Sequence, residues 1–274
     1  MPRRMKLANR TAVVTGAASG IGRGIAIALS RRGCHLALAD INDAQLARTA
    51  EMVAAPGLRV TQHRLDVADR AGVAAFPSVV TSHHPGVDIL INNAGVALGG
   101  TFDQVSEADF EWLFNINFWG VVRMTRAFLP LLKASDDARL VNLSSVYGLI
   151  SPPGQTAYSA SKFAVRGFSQ ALRHELVGTN IGVTVVHPGG VATSIAKNAR
   201  VPACAPPEEV AKQLRLSEKL LRLPPEVAGE IIVQGVERRK ARVLVGSDAK
   251  LISVIERLAP VSYWKHIERL KPRQ

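Results

Sequence analysis

Cysteine is nearly absent from this 274-residue chain, which holds only Cys34 and Cys204. Two thiols cannot build a disulfide framework, and no Cys or His pair stands at zinc-finger spacing, so no metal site is expected. Each cysteine reads as a small buried or half-buried hydrophobe. Apolar runs approaching the roughly 20 residues of a membrane-spanning helix are missing as well. The start MPRRMKLANRTAVVTG has no uninterrupted apolar stretch and no small-residue cleavage site, which makes a soluble cytoplasmic protein the expectation. Repeats and low-complexity tracts are also missing. With 47% apolar and 20% charged residues, the chain is neither disordered nor collagen-like. A chain of this length buries about three quarters of its unfolded surface and needs no staple.

The body also lacks net charge, although the whole chain carries +12. Residues 1–10 hold four bases, Arg3, Arg4, Lys6 and Arg10, and residues 238–274 hold ten bases against three acids. The 227 residues between them hold 20 bases and 19 acids. A nucleic-acid reader carries its charge interleaved with aromatics on the folded body, so no nucleic-acid partner is expected. Solvated ends are the plain reading of the basicity, and contact with an anionic membrane through the basic C-terminal tail is the alternative.

What is present is alternation. Short β-branched or aliphatic runs occur at 11–15, 35–39, 58–65, 87–92, 138–144, 181–186 and 241–246. Stretches of helical period fall at 21–32, 104–133 and 157–177, with another helix at 225–239. Gly33 stands where a helix C-cap belongs, and Ser106 with Asp109 resembles a capping box. Strands alternating with helices predict a single α/β domain, a doubly wound parallel sheet of about seven strands covered on both faces. Such sheets bind ligands at the carboxyl ends of their strands. After residue 190 a Pro-rich excursion at 194–225 surrounds one basic helical stretch and is expected to form a substrate lid. The extension 248–274 has apolar residues at helical spacing with a break at Pro260, which suits a docked helix, a partner contact or a membrane-surface helix.

The first strand runs into Thr15-Gly16-Ala17-Ala18-Ser19-Gly20-Ile21-Gly22, and a helix follows at once. Glycines let backbone approach a pyrophosphate, and the helix start offers N–H groups to its charge. The second strand ends in Asp40, placed to accept hydrogen bonds from the adenine ribose hydroxyls. A carboxylate there repels the 2′-phosphate of NADP, and Ile41 and Asn42 supply no compensating cation. NAD is therefore expected over NADP. Arg23, on the first helical turn, is the nearest base and is read as facing solvent.

Tyr158 and Lys162 stand four apart in a helical stretch and share a face. A tyrosine with pKa about 10 is a poor base at neutral pH, and a nearby ammonium favours its phenolate. Tyr158 then exchanges a proton with an alcohol while a hydride leaves or joins the same carbon. Ser145, at the end of the fifth strand, is placed to donate a hydrogen bond to the carbonyl oxygen. Ser144 competes for that role, but strand alternation turns it to the other face. His187 reads as structural, and Trp112, Phe114, Phe118 and Trp119 read as core and subunit interface.

The spacing of these motifs resembles the short-chain dehydrogenase/reductase family over about residues 9–193, its cofactor-binding and catalytic core. TGAASGIG matches the cofactor loop through Gly16, Ser19, Gly20 and Ile21. Asp66-Val67 matches the adenine-contacting pair, and Asn92-Asn93-Ala94-Gly95 matches NNAG. Asn117-Phe118-Trp119-Gly120 matches NxxG, Ser145 the serine, and Tyr158 to Lys162 the YxxxK motif. Pro188-Gly189-Gly190-Val191-Ala192-Thr193 matches the PGxVxT that holds the nicotinamide carboxamide. The resemblance implies that Lys162 binds the ribose hydroxyls, that Asn117 holds a water for proton relay, and that copies assemble as a homodimer or homotetramer.

The expectation is an NAD-dependent oxidoreductase interconverting an alcohol and a ketone or aldehyde. The apolar excursion points to a lipophilic substrate. An NADP-dependent carbonyl reductase and a non-catalytic dinucleotide sensor are the alternatives.

Overall fold

The computed structural model describes residues 4–270; Arg3, Lys271 and Arg273, counted above among the basic ends, lie outside them. Seven parallel strands form one sheet in the order β3-β2-β1-β4-β5-β6-β7. They are β1 (Thr11–Thr15), β2 (His35–Asp40), β3 (Val60–Arg64), β4 (Ile89–Asn92), β5 (Ala138–Leu143), β6 (Ile181–Pro188) and β7 (Arg242–Val245). The chain winds outward from β1 to β3, then returns to lay β4 on the other side of β1. That reversal opens a crevice at the carboxyl ends of β1 and β4. β1, β4 and β5 are buried at every position. Sheets covered on both faces need such apolar strands, because neither face meets water.

One face is covered by α1 (Gly20–Ser30), α2 (Asp43–Val53) and α8 (Pro225–Glu237). The other is covered by α3 (Arg70–Thr81), α5 (Gly120–Ala134) and α6 (Thr156–Glu175). α1 and α8 cross at glycines: a Cβ on Gly24 would lie 2.3 Å from the Pro225 carbonyl oxygen, and one on Gly229 would lie 2.2 Å from the Gly24 carbonyl carbon. α1 ends in a Schellman turn, with Cys34 N–H donating to Leu29 O and Gly33 N–H to Ser30 O. Gly33 takes the left-handed φ of +73° that the turn requires. α4 (Glu107–Phe114) starts as expected, with Ser106 Oγ accepting from Asp109 N–H at 3.1 Å.

The helical periodicity misses α2 and α3. α2 buries only Leu46, Thr49, Ala50 and Val53, and α3 carries Pro77 inside it, so neither shows a broad apolar stripe. The long helix expected over 104–133 is broken by a π-turn at Asn115–Trp119 between α4 and α5. The aromatics around it are not core. The fully buried side chains there are Leu113 and Asn117, Phe114 and Phe118 are half-buried, and Trp119 is 50% exposed.

Beyond β6 the chain forms α7 (Pro207–Leu220), none of whose residues is buried, and a short parallel bridge pairs Val191 with Leu223. After β7 come α9 (Ser247–Leu258) and α10 (Tyr263–Leu270), separated at Pro260. No helix among the described residues is long and apolar enough to cross a membrane.

Candidate active site

The site lies at the carboxyl ends of β1, β4, β5 and β6. Thr15, the last residue of β1, ties two of them together. Its Oγ1 accepts from the N–H groups of Asn93 (3.0 Å) and Ala94 (3.1 Å) and donates to Ile91 O (3.2 Å). Asn93 answers from β4, its Nδ2 donating to the carbonyls of Thr15 (2.9 Å) and Gly16 (3.0 Å). These bonds fix the crevice at the point where the winding reverses.

Between β1 and α1 the turn is built for close approach. Gly16 and Gly20 hold φ of +65° and +52°, and a Cβ on Gly22 would lie 2.0 Å from Gly16 O. Ser19 caps α1 in backbone position only, without a side-chain bond, and no acid stands in the first turn before or after Ile21. A helix start left uncapped behind a glycine turn fits a pyrophosphate. Thr193, in the loop after β6, reaches across: its Cγ2 would be 3.0 Å from a Cβ on Gly20.

Asp40 closes the other side of the turn. Its Oδ2 accepts from Ala18 N–H (2.9 Å) and its Oδ1 from Asn42 N–H (3.0 Å). Arg23 does not face solvent as expected. Its Nε donates to Thr49 Oγ1 (2.9 Å) and its Nη2 to Gln45 Oε1 (3.1 Å) and to Ala18 O, which commits it to the seam between α1 and α2. Asp66 is exposed after β3, with Oδ1 accepting from Ala68 N–H (2.8 Å), and Val67 is buried against Gly120.

The second half of the site gathers around α6. Asn117, in the π-turn, is fully buried: its Oδ1 accepts from Val96 N–H (2.8 Å), and its Nδ2 donates to Val96 O (3.0 Å) and Ser161 Oγ (3.2 Å). π-turns of this kind recur at functional sites. Gly95 sits in the gap, where a Cβ would come within 3.1 Å of Asn117 Oδ1 and 3.4 Å of Lys162 Nζ. Lys162 is buried, donates from Nζ to Leu143 O (3.2 Å), and stands 5.6 Å from the centre of the Tyr158 ring. Burial lowers the Lys162 pKa to about 8.

Ser145 follows β5, and its Oγ accepts from Tyr147 N–H (3.1 Å). Ser145 stands close enough to Tyr158 to favour its phenolate. Ser144 turns away and donates to Lys162 O (2.8 Å), as alternation predicts. The expected lowering of the Tyr158 pKa is not met by the protein alone. Desolvation dominates and pushes Tyr158 up to about 12, with Ser145 opposing it and Tyr147 adding to the rise. A buried hydroxyl without a full counter-charge beside it stays protonated.

Tyr158 lies in an apolar cluster with Val96, Val105, Phe110 and Trp112 around buried Leu98, Leu113 and Ala157. Trp112 therefore packs beside this site. Arg200 covers it, with the guanidinium 3.7 Å from the ring centre and bonded to Asp109 Oδ1 at 2.7 Å.

One position, Asp248, escapes sequence reasoning, and the structural reading of His187 gains a partner. Asp248, at the start of α9, accepts from Gly190 N–H at 2.6 Å and so holds the Pro188–Thr193 loop, where Gly189 N–H donates to Val245 O (2.9 Å). No local pattern marks an acid so far along the chain. His187 was read as structural, and it is fully buried with Nδ1 2.9 Å from Ser145 O. That contact fixes the main chain of the serine.

A glycine-turned helix start, an acid at the next strand end and a Ser-Tyr-Lys group across the crevice define a dinucleotide-dependent oxidoreductase of the α/β class. Comparison with known proteins is consistent with this. A family model for short chain dehydrogenase matches residues 10–202. The putative oxidoreductase SadH of Mycobacterium tuberculosis is 44% identical over 257 residues, covering 93% of this chain and 92% of that protein. The oxidoreductase UcpA of Escherichia coli K12 is 37% identical over 229 residues, covering 82% and 87%. Among solved structures, a short chain dehydrogenase/reductase from Burkholderia phymatum in complex with NAD superposes with a TM-score of 0.85 at 29% identity, covering 98% of each chain. The chain belongs to the short-chain dehydrogenase family.

Proposed function

We propose that the protein is an NAD-dependent oxidoreductase that interconverts a lipophilic alcohol with its ketone or aldehyde, with Tyr158 as proton donor and acceptor. The observation that carries this reading is the convergence of three groups. Ser145, just after β5, favours the Tyr158 phenolate, and Lys162 Nζ stands 5.6 Å from the centre of the Tyr158 ring.

The residues divide by task. The α1 start with Gly16, Ser19, Gly20 and Ile21 would hold the pyrophosphate, and Asp40 the adenine ribose. Asp66 and Val67 would bound the adenine, Asn93, Ala94 and Gly95 the sheet side, and Pro188, Gly189, Val191 and Thr193 the carboxamide end. Bound NAD takes or gives the hydride and, when oxidised, adds the positive charge that lowers the Tyr158 pKa. Ser145 orients the substrate oxygen, Tyr158 holds the transferred proton, and Lys162 with Asn117 steadies that proton's path. Preference for NAD over NADP is supported by the anchoring of Asp40: both carboxylate oxygens are bonded to backbone N–H groups, and the nearest cation, Arg23, is engaged elsewhere. A lipophilic substrate is supported by the apolar cluster around Tyr158, with 194–225 as the lid over it. Phe114, Phe118, Phe168 and Trp119 form a chain of ring contacts beside α6, which suits pairing of copies in a dimer or tetramer in the cytoplasm.

The test is the rate of NADH formation across short-chain, steroid, retinoid and long-chain alcohols, with NADP as control. Turnover with NAD, best on the apolar alcohols and abolished in Tyr158→Phe, is the expected result. Faster turnover with NADP overturns the reading of Asp40. Silence from protein that still binds NADH favours a sensor.

A further inference from the structure

α9 and the turn after it carry a group of exposed apolar side chains. Leu251, Val254, Leu258 and Val261 are 51%, 54%, 79% and 95% exposed. Leu251, Val254 and Leu258, spaced three and four residues apart, share one stripe along the helix, and Val261 follows in the turn into α10. The opposite side is the docked side, where Ala249 is buried and Ile252 and Ile255 are half-buried. Other exposed large hydrophobics, such as Ile41, Met52, Phe102 and Val177, do not recur at helical spacing along one element. Single exposures are ordinary on a soluble protein, whereas a contiguous stripe marks a contact surface.

The charges beside the stripe are of one sign. Lys250 and Arg257 are exposed on its flank, and Lys265 and Arg269 are exposed on α10. The nearby acids are turned to other tasks. Asp248 Oδ2 accepts from Gly190 N–H, Glu268 Oε1 accepts from Trp264 Nε1–H (2.8 Å), and Glu256 is half-buried. An apolar helix face rimmed by Lys and Arg matches the boundary between anionic headgroups and acyl chains.

We propose that α9 and the turn into α10 dock this protein on an anionic lipid surface. A second copy fits the same face poorly. A two-fold pairing over the stripe sets the Lys250 and Arg257 flank of one copy beside the same basic flank of the other, where like charges repel. The placement adds a consequence. Asp248 grips the Gly190 loop at the carboxyl end of β6, and the Tyr263 hydroxyl accepts from Ser151 N–H (3.1 Å), in the segment between Ser145 and Tyr158. The docking face therefore adjoins the mouth of the site, and a membrane-dissolved alcohol leaves the bilayer next to Tyr158. Docking itself does not depend on the proposed reaction.

The experiment is flotation of the full chain with phosphatidylglycerol–phosphatidylcholine vesicles, against phosphatidylcholine alone. Two double variants, Leu251→Ser with Leu258→Ser and Lys250→Gln with Arg257→Gln, are run beside it. The expected result is flotation with anionic vesicles only, weakened by salt and reduced about tenfold by either variant. Unchanged NADH binding and an unchanged melting profile show that the variants fold, and they read the cofactor site separately from docking. Equal behaviour with neutral vesicles, or no flotation, overturns the proposal. So does a fall in the sedimenting mass of the stripe variant in solution, which assigns the face to a second copy.

Discussion

The proposed cofactor crevice and the proposed cover over the substrate are held by opposite means. Around β1 and β4 the constraints are internal: Thr15, Asn93 and Asn117 spend their polar atoms on backbone groups, and Gly22 admits Gly16 O where any side chain would collide. Beyond Thr193 the constraints are at the surface. Arg200 clasps Asp109 over Trp112, Asp248 reaches the Gly190 loop, and α7 buries no residue. Buried, fully bonded polar networks specify one arrangement, whereas exposed ion pairs contribute little and yield readily. The β1–β4 crevice is thus rigidly held, and the proposed substrate cover is held by contacts that yield more readily.

The largest expected effect lies where the two regions meet. Tyr158→Phe removes the proton carrier but keeps the ring in its apolar cluster, so turnover should fall by about a thousandfold, within the range for general acid–base groups, while NADH binding persists. Retained turnover would move the proton to another group. Next in size is Gly22→Ala. Its Cβ meets Gly16 O at 2.0 Å and Asn93 Nδ2 at 2.5 Å, neither of which is the far end of a flexible chain. We expect a loss of about 2–3 kcal/mol in urea unfolding, together with weaker NADH binding. Gly167→Ala, with nothing within 4 Å, is the control.

The same contrast governs how much the sequence discloses. The strands β1, β2, β4, β5 and β6 are visible as runs of mostly apolar residues, because burial on both faces demands that composition along contiguous residues, whereas the edge strand β3, VTQHR, is partly exposed and mostly polar. The Ser145, Tyr158 and Lys162 arrangement follows from helix spacing and strand ends, and the uncapped start of α1 follows from its glycines. α2 and α3 were missed because small and polar residues cover much of their length. The engagement of Arg23, the surface position of Phe114, Phe118 and Trp119, and the role of Asp248 depend on which distant elements meet. No local pattern encodes that. The Tyr158 pKa was misjudged for a related reason: the charge of Lys162 is legible, whereas the desolvation that outweighs it belongs to the assembled fold.

A third expectation concerns pH. Burial lowers the pKa of His187 to about 4, and His84, 1% exposed, is likewise lowered to about 4. Both folded values lie below the unfolded value of 6.5, so their stabilising effect is complete above pH 6.5 and is lost as pH falls toward 4. The unfolded chain takes up the protons first. His187 contributes on the order of 2–3 kcal/mol to that decline. Urea midpoints measured from pH 7 to pH 4.5 should fall, and His187→Asn, whose amide can still donate to Ser145 O, should fall less. Parallel declines would place the acid sensitivity elsewhere.

The smallest effect is expected at the clasp. Arg200 N–H donates to Ala97 O (3.0 Å) and Arg200 O accepts from Gly99 N–H (3.2 Å), so the backbone link between the cover and the β4 loop survives any side-chain change. Arg200→Ala should therefore leave stability within about 0.5 kcal/mol and raise KM about threefold with little change in kcat, because only the holding of the cover is lost. Added salt should raise KM in the parent and not in the variant, as an exposed pair is screened. Arg200→Lys separates the two parts of the clasp. Lysine keeps the charge facing Asp109 but lacks the planar group that lies over Trp112. A KM near that of the parent assigns the clasp to the ion pair, and one near that of Arg200→Ala assigns it to stacking on the indole. No change in either variant would mean that the backbone bonds alone hold the cover, and the contrast between a fixed crevice and a yielding cover would narrow.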